Sequence, residues 1–270
     1  MYDYWVAVII GIVEGLTEFL PVSSTGHMIL TQSLLQIPES DQMMNTFKIV
    51  IQLGAILAVV LLYWKRILML FGLLKKSGRF AKGPRLNLLH ILLGIVPAMV
   101  LAFFLDDFIE SRLFSPETVI VGLVIGGILL IVAEKQKEPH AVQELDEITY
   151  RQALFIGLWQ ILSLWPGFSR SGATIAGGML SGVNRAASAD FTFIMAIPIM
   201  FAASGYSLLK SYGSFTADYI GFFIVGFAVS FIVALLAVVS FIKFVQKMKL
   251  TYFAYYRFVL AAVFALYLWL

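Results

Sequence analysis

Long apolar runs, cut at intervals by short polar segments, dominate the chain. Three uninterrupted runs, residues 47–64, 87–105 and 116–133, approach the ~20 mainly apolar residues a helix needs to cross a bilayer. Three more follow near 190–209, 219–242 and 252–270. Each trio is preceded by a broken pair, 4–20 with 24–36 and 150–165 with 170–182. In the first pair Glu14 and Glu18 interrupt the apolar run and Pro21 stops it, so neither member is a comfortable span. A pair of this kind predicts a re-entrant helical hairpin, tolerated at membrane depth only where protein or a wet cavity covers its backbone. An ordinary kinked transmembrane helix is the plainer alternative; the polar residues gathered at the break favour the hairpin.

The chain therefore reads as a broken pair plus three spans, twice. Gly11, Glu14, Pro21, Ser24 and Gly26 find counterparts in Gly157, Gln160, Pro166, Ser169 and Gly172 at offsets of 145 or 146, which argues for duplication. If each hairpin returns to its own side, each half crosses the membrane three times, and an odd number inverts the second half. The expectation is a single all-α polytopic membrane domain over residues 1–270: six transmembrane helices plus two re-entrant hairpins in an inverted-topology repeat, with halves at approximately 1–140 and 141–270.

Charge places this arrangement in the membrane. The 65–86 loop carries Lys65, Arg66, Lys75, Lys76, Arg79, Lys82 and Arg85 with no acid, and the 243–251 loop carries Lys243, Lys247 and Lys249 with no acid. The positive-inside rule makes both cytoplasmic. Segments 37–46 (Glu39, Asp41) and 106–117 (Asp106, Asp107, Glu110 and Glu117 against Arg112) fall on the other side. Both termini and the mouth of the first hairpin are then expected to face outward.

Composition agrees. Of 270 residues 60% are hydrophobic and 13% charged, against about a quarter charged in soluble domains. No polar stretch exceeds a connecting loop, so no soluble domain is expected. The absence of cysteine excludes disulfides, thiolate nucleophiles and cysteine-held metals. Residues 1–20 lack a basic start and contain two glutamates, so no cleavable signal peptide is expected.

The chemistry concentrates at the two breaks. Glu14 and Glu18, four apart, share one helix face, and carboxylates inside apolar sequence mark an ion, proton or substrate path. Paired acids beside hydroxyls suit a hard divalent cation; two acids snorkelling from a helix end are the bland alternative. After Pro21, the run Ser23-Ser24-Thr25-Gly26 can cap a new helix, whose free amides bind phosphate. His27 lies one turn from Ser24, and a Ser–His pair beside an oxyanion-binding turn is the minimal unit of nucleophilic catalysis. A serine-rich turn bonding back to backbone carbonyls explains the same residues without chemistry. Arg170, flanked by Ser169 and Ser171 and followed by Thr174, is a guanidinium suited to phosphate; pairing with Glu14 or Glu18 is its structural alternative. Gln52 and Asn45 are secondary cavity candidates, His90 reads as interfacial, Asp190 as a helix cap, and Arg257 as a snorkelling or intrabundle cation.

Glu14-Gly-Leu-Thr-Glu18-Phe-Leu-Pro-Val-Ser-Ser24-Thr-Gly-His27 and Pro166-Gly-Phe-Ser169-Arg170-Ser-Gly-Ala-Thr174 resemble the two signature motifs of the undecaprenyl-pyrophosphate phosphatase family, bacterial membrane enzymes linked to bacitracin resistance. The likeness extends to Ile51-Gln52-Leu-Gly and to Leu145-Asp146 with Thr149-Tyr150-Arg151-Gln152-Ala153. It implies hydrolysis of the C55 isoprenoid pyrophosphate to its monophosphate, recycling the lipid carrier of cell-wall polymers in the inner (plasma) membrane. It implies a divalent metal (Mg2+ or Ca2+) on Glu14 and Glu18, with Glu18 also an acid–base candidate. By the same resemblance Ser24 is a nucleophile or phosphate ligand partnered by His27, Ser23 and Thr25 bind phosphate beside it, and Arg170, Ser169, Ser171 and Thr174 grip the pyrophosphate. The implied partners are the lipid and the membrane, not nucleic acid, with a homodimer in some members. An inverted-repeat transporter or flippase of a lipid phosphate is the competing reading.

Overall fold

Side-chain caps set most helix starts. The computed structural model describes residues 2–38, 40–74, 86–113, 115–136, 142–210, 219–245 and 247–269, with backbone alone at 106, 107, 110, 111 and 210. After α1 (Tyr4–Thr17) and α2 (Ser24–Leu34), α3 (Gln42–Leu70) starts where the Asp41 carboxylate accepts the Met44 amide at 2.9 Å. α4 (Leu88–Leu113) precedes α5 (Pro116–Lys135), which opens on a reciprocal Ser115–Thr118 box with Pro116 in its first turn. Thr149 and Gln152 form the same box for α6 (Tyr150–Gln160). α7 (Arg170–Leu180), α8 (Arg185–Lys210), α9 (Ile220–Phe244) and α10 (Leu250–Trp269) complete the order.

The described residues are helical apart from turns and one isolated bridge between Val142 and Val183. Six helices are long and apolar enough to cross a membrane: Gln42–Leu70, Leu88–Leu105, Pro116–Lys135, Arg185–Leu209, Ile220–Phe244 and Leu250–Trp269. The chain is thus an all-α, multi-pass membrane protein. Leu61, Leu92, Phe103, Leu236 and Val259 point outward and exposed, a density of large apolar surface that water would not tolerate.

Several boundaries differ from the sequence expectation for local reasons. α3 extends beyond 47–64 because Asp41 caps it early, while Lys65 and Arg66, good helix formers, do not stop it. α8 starts at Arg185, not near 190, because Asn184 accepts the Ala187 amide at 2.7 Å. Asp190 consequently lies inside the helix and accepts the Tyr63 hydroxyl at 2.5 Å rather than capping anything. His90, in the first turn of α4, is buried beneath the Tyr150 ring. Of the charges used for orientation, Lys75, Lys76, Arg79, Lys82, Arg85 and Glu39 lie outside the described residues, as do the side chains of Asp106, Asp107 and Glu110.

α1 packs on α9, α6 packs on α4, α3 contacts α8 and α9, and α5 lies against α10. The largest core cluster joins Ala55 and Val59 of α3, Ile175 of α7, Phe193 of α8, Val238 of α9 and Ala254 of α10 around Phe19. Phe19 sits in the break between α1 and α2, is fully buried, and meets Phe193 edge to face at 5.7 Å. Its close packing, not removal from water, anchors the turn carrying Glu18.

Candidate active site

Each polar break is shaped by one strained serine. α1 ends at Thr17, four residues before Pro21, and the chain turns through Glu18–Val22. Ser23 then takes φ 72°, ψ 93°, and its hydroxyl accepts the Gly26 amide at 3.4 Å, starting α2. In the second half α6 runs into a 3-10 turn (Ile161–Leu164), Gly167 adopts φ 88°, and Ser169 takes φ 73°, ψ 117°. The Ser169 hydroxyl accepts the Gly172 amide at 3.1 Å, starting α7. Ser23 and Ser169 are two of only three non-glycine residues with positive φ among those described. Left-handed backbone costs a non-glycine residue about 1–3 kcal/mol and gathers at functional sites.

This corrects the residue pairing expected from sequence. Ser169 corresponds to Ser23, not Ser24, because both are left-handed N-caps that receive the third amide of the following helix. Ser24 therefore corresponds to Arg170, the first residue of each helix.

The two turns touch. Arg170 Nη2 donates to Glu18 Oε1 at 2.8 Å, with the two side chains 15% and 7% exposed. Ser24 Oγ donates to the other oxygen, Oε2, at 2.6 Å. One carboxylate thus receives the first residue of both helices. Ser171 Oγ donates to the Leu20 carbonyl at 2.8 Å, a second bond between the turns, and the Arg170 guanidinium lies 5.8 Å from the Phe19 ring centre. The structural alternative for Arg170, an ion pair, is present; the hydroxyls around it are present too.

A cavity of ≈ 220 Å³ opens at this junction, lined by Glu18, Ser23, Ser24, Thr25, Ser169 and Arg170, with Gln52 and Trp165 among its other walls. The first turns of α2 and α7 both border it, adding helix-start amides to the Arg170 charge. Arg170 Nη1 is buried without a partner, a donor free for water or a ligand. A larger groove of ≈ 930 Å³ runs along α6 past Phe155, Leu158, Trp159 and Leu162, but its one charged lining residue is Arg151. The smaller cavity holds the chemistry.

Four expected site residues do not line that cavity. Thr174 is fully buried; its hydroxyl donates to the Arg170 carbonyl at 2.9 Å and receives that of Thr192 at 2.8 Å. Ser171 is turned to Leu20 as described. His27 meets Tyr256 rather than Ser24. Its Nδ1 donates to the Ser23 carbonyl at 2.7 Å, which can only accept, so in the neutral ring Nε2 accepts the Tyr256 hydroxyl at 2.6 Å. Glu14 is buried in α1, within electrostatic reach of Glu18, Arg170 and Lys48, and its Oε1 has no hydrogen-bond partner. Asn45 also stays outside the cavity, whereas Gln52 reaches it.

Arg257 takes the intrabundle course of its two expected ones. It is completely buried in α10 and donates to four carbonyls: Leu123 and Gly122 at 3.1 and 3.0 Å, and Gly167 and Phe168 at 2.9 and 2.8 Å. The last two precede Ser169. Gly126 of α5 makes room for this arrangement, since a Cβ there would lie 2.7 Å from the Phe168 oxygen. The usable signal was an arginine inside an apolar span, which marks a functional or braced position by default.

No cluster of three or more His, Cys, Asp or Glu occurs among the described residues. Glu14 and Glu18 are nonetheless a donor pair that fits a small hard cation, because Mg2+ takes one or two carboxylates and completes its shell from water and substrate phosphate. The unpartnered Glu14 oxygen is the observation that favours this fit.

Residues 7–263 match the family model for bacitracin resistance protein BacA. The chain belongs to the BacA family. Among BacA relatives, the undecaprenyl-diphosphatase of Geobacillus kaustophilus is 53% identical over 97% of this chain and 96% of its own length. Those of Exiguobacterium sibiricum and Anoxybacillus flavithermus are 52% and 50% identical, over 96% and 95% of this chain and 95% and 94% of theirs.

Proposed function

We propose that this BacA chain is an undecaprenyl-diphosphatase: it hydrolyses undecaprenyl pyrophosphate to undecaprenyl phosphate and inorganic phosphate, recycling the lipid carrier for cell-wall polymers and giving bacitracin resistance. The observation that carries the reading is Glu18, whose two oxygens hold the Ser24 hydroxyl and the Arg170 guanidinium, all three lining one cavity. At ≈ 220 Å³ the cavity suits a headgroup; pockets that enclose whole drug-sized ligands run to about 300–1,000 Å³.

Ser24 is positioned as the nucleophile. Glu18, 2.6 Å away, takes its proton as Oγ bonds to the terminal phosphorus and the bond to the bridging oxygen breaks, releasing undecaprenyl phosphate. Glu18 gives that proton to the departing phosphate oxygen, then deprotonates the water that cleaves the phosphoserine, and returns this second proton to Ser24 Oγ as inorganic phosphate leaves. Arg170, with its spare Nη1, and the first amides of α2 and α7 neutralise the charge spread over the transferring group. A divalent metal held by Glu14 and Glu18 would supply further positive charge to the phosphate oxygens. Ser23, Thr25 and Ser169 line the phosphate cavity, while Ser171 and Thr174 fix the tip that carries Arg170. His27 acts through the Ser23 carbonyl, fixing the turn ahead of Ser24.

The architecture that supports this is two re-entrant hairpins, α1–α2 and α6–α7, in an inverted-topology repeat within one membrane domain. Matched features favour it. Gly11 of α1 lies against the Gly226 carbonyl of α9, where a Cβ would sit at 2.8 Å, and its counterpart Gly157 of α6 lies against the Gly94 carbonyl of α4, at 2.7 Å. The paired strained caps, Ser23 and Ser169, follow the same correspondence. Lys65, Arg66, Lys243, Lys247 and Lys249 on one side and Asp41 and Glu117 on the other orient the first hairpin outward in the bacterial inner membrane.

The test is phosphate release from the C55 pyrophosphate by purified protein in detergent, with and without chelator. Detergent abolishes compartments, so a transporter gives no product. Absence of phosphate release from folded, metal-supplied protein would refute the assignment.

A further inference from the structure

The two strained serines need something to hold them, and the same helix reaches both. Tyr256 and Arg257 are consecutive in α10. The Tyr256 hydroxyl meets His27 Nε2 at 2.6 Å, and the two rings stack with centres 5.6 Å apart and planes 4° from parallel. His27 passes this constraint on, because its Nδ1 donates to the Ser23 carbonyl at 2.7 Å. On the other side Arg257 Nη2 donates to the carbonyls of Gly167 and Phe168 at 2.9 and 2.8 Å, the two residues before Ser169. Arg257 is also tied to α5 through Gly122 and Leu123, so it cannot swing freely.

We infer that α10 is a strut that fixes the two left-handed serine turns relative to each other, and that Tyr256 and Arg257 are positioning residues for the pyrophosphate cavity. Neither lines that cavity. Tyr256 acts through His27 on Ser23, and Arg257 acts on the turn that presents Ser169 and Arg170. The inference deepens the phosphatase reading and rests on it for its kinetic readout.

The physical need is clear from the geometry. A left-handed serine persists only when its surroundings over-determine it. The two hydroxyl caps at 3.4 and 3.1 Å are local and modest. Carbonyl bonds from a helix outside both hairpins add what local caps cannot, which is the separation between Ser24 and Arg170 across Glu18. A group misplaced by 1 Å can lose about 10²-fold in rate.

The experiment compares Tyr256→Phe and Arg257→Lys with wild type. Tyr256 is half exposed, and phenylalanine keeps its ring, so folding is retained. Phenylalanine removes only the donor, so kcat is expected to fall about tenfold with KM little changed, the size of one lost hydrogen bond in the transition state. Lysine keeps a charge but offers no planar fork to carbonyls on two elements, and kcat is expected to fall about 10²-fold. The independent readout is nitrogen-15 NMR of the histidine rings, tractable with three histidines in the chain. In wild type the His27 signals should report a ring protonated at Nδ1 alone; in Tyr256→Phe they should shift toward tautomer exchange, and in Arg257→Lys they should not. A Tyr256→Phe protein with wild-type kcat or an unchanged His27 spectrum overturns the strut. A wild type that releases no phosphate while the histidine spectrum still responds refutes the phosphatase reading and leaves the contact intact.

Discussion

Replacing Arg170 by lysine separates charge from shape in the wall of the cavity. Arginine presents Nη2 to Glu18 at 2.8 Å and to the Met200 sulfur at 3.3 Å, and keeps Nη1 unpartnered. A lysine ammonium can hold Glu18 or the phosphate, but it has no second in-plane nitrogen to do both. The loss is therefore one donor on the developing oxyanion, worth about 2.7–4 kcal/mol, or 10²–10³ in kcat. Stability should change far less. Breaking a buried pair outright costs about 3–5 kcal/mol, but lysine preserves the opposite charge beside a Glu18 side chain only 7% exposed. The assay is phosphate release from C55 pyrophosphate in detergent, paired with a thermal midpoint for each protein. Wild-type kcat in a lysine variant with an unshifted midpoint would show that the planar fork is idle in the reaction. Loss of folding along with activity would show that the planar fork is needed to hold the junction together.

Other expectations follow from single contacts. Chelation should abolish turnover, and Glu14→Gln should weaken metal dependence with the fold retained, measured by activity against metal concentration; a chelated enzyme at full rate would leave the carboxylates as acid–base groups alone. Ser24→Ala should drop phosphate release to background while Ser24→Cys retains a trace, and an unaffected alanine variant would move the attack to water. Ser169→Ala removes the α7 cap and should cost about 1 kcal/mol of stability, read as a lowered thermal midpoint, whereas Ser169→Gly should cost less because glycine accepts φ 73° freely. Gly126→Val should be destabilising by about 1–3 kcal/mol or more, since its Cβ would meet the Phe168 oxygen at 2.7 Å.

Much of this site was legible because hydrocarbon makes polar residues conspicuous. Glu14, Glu18, Ser24 and Arg170 stand out against apolar neighbours, and the recurrence of a broken pair plus three spans points to a meeting of the two motifs. What stayed hidden was direction. Ser171 and Thr174 sit beside Arg170 in sequence, but helical geometry turns their hydroxyls to backbone carbonyls at 2.8 and 2.9 Å. His27, one turn from Ser24, faces Tyr256 of the last helix, a contact across 229 residues that no local pattern encodes. The Ser23–Ser169 equivalence also required backbone angles, since Ser23 and Ser24 are indistinguishable as letters.

The corrected pairing changes how the duplication is understood. With Ser23 set against Ser169, the first helical residue is Ser24 in one half and Arg170 in the other. Equivalent positions thus hold a hydroxyl, the proposed nucleophile, and a guanidinium, and both bond to Glu18 at 2.6 and 2.8 Å. The acids follow the same logic: Glu14 faces Gln160 in the repeat, and Glu18 faces the apolar Leu164. A symmetric site would place two arginines or two acids across one cavity, and like charges at that range repel strongly in a low dielectric. Dividing the roles sets the Glu18 carboxylate against the Arg170 guanidinium, which attract. The two matched turns bring two helix starts to one cavity, and the residues that differ between them supply the acceptor, nucleophile and positive charge of the proposed phosphoryl transfer. That division explains why neither half-motif is a site by itself.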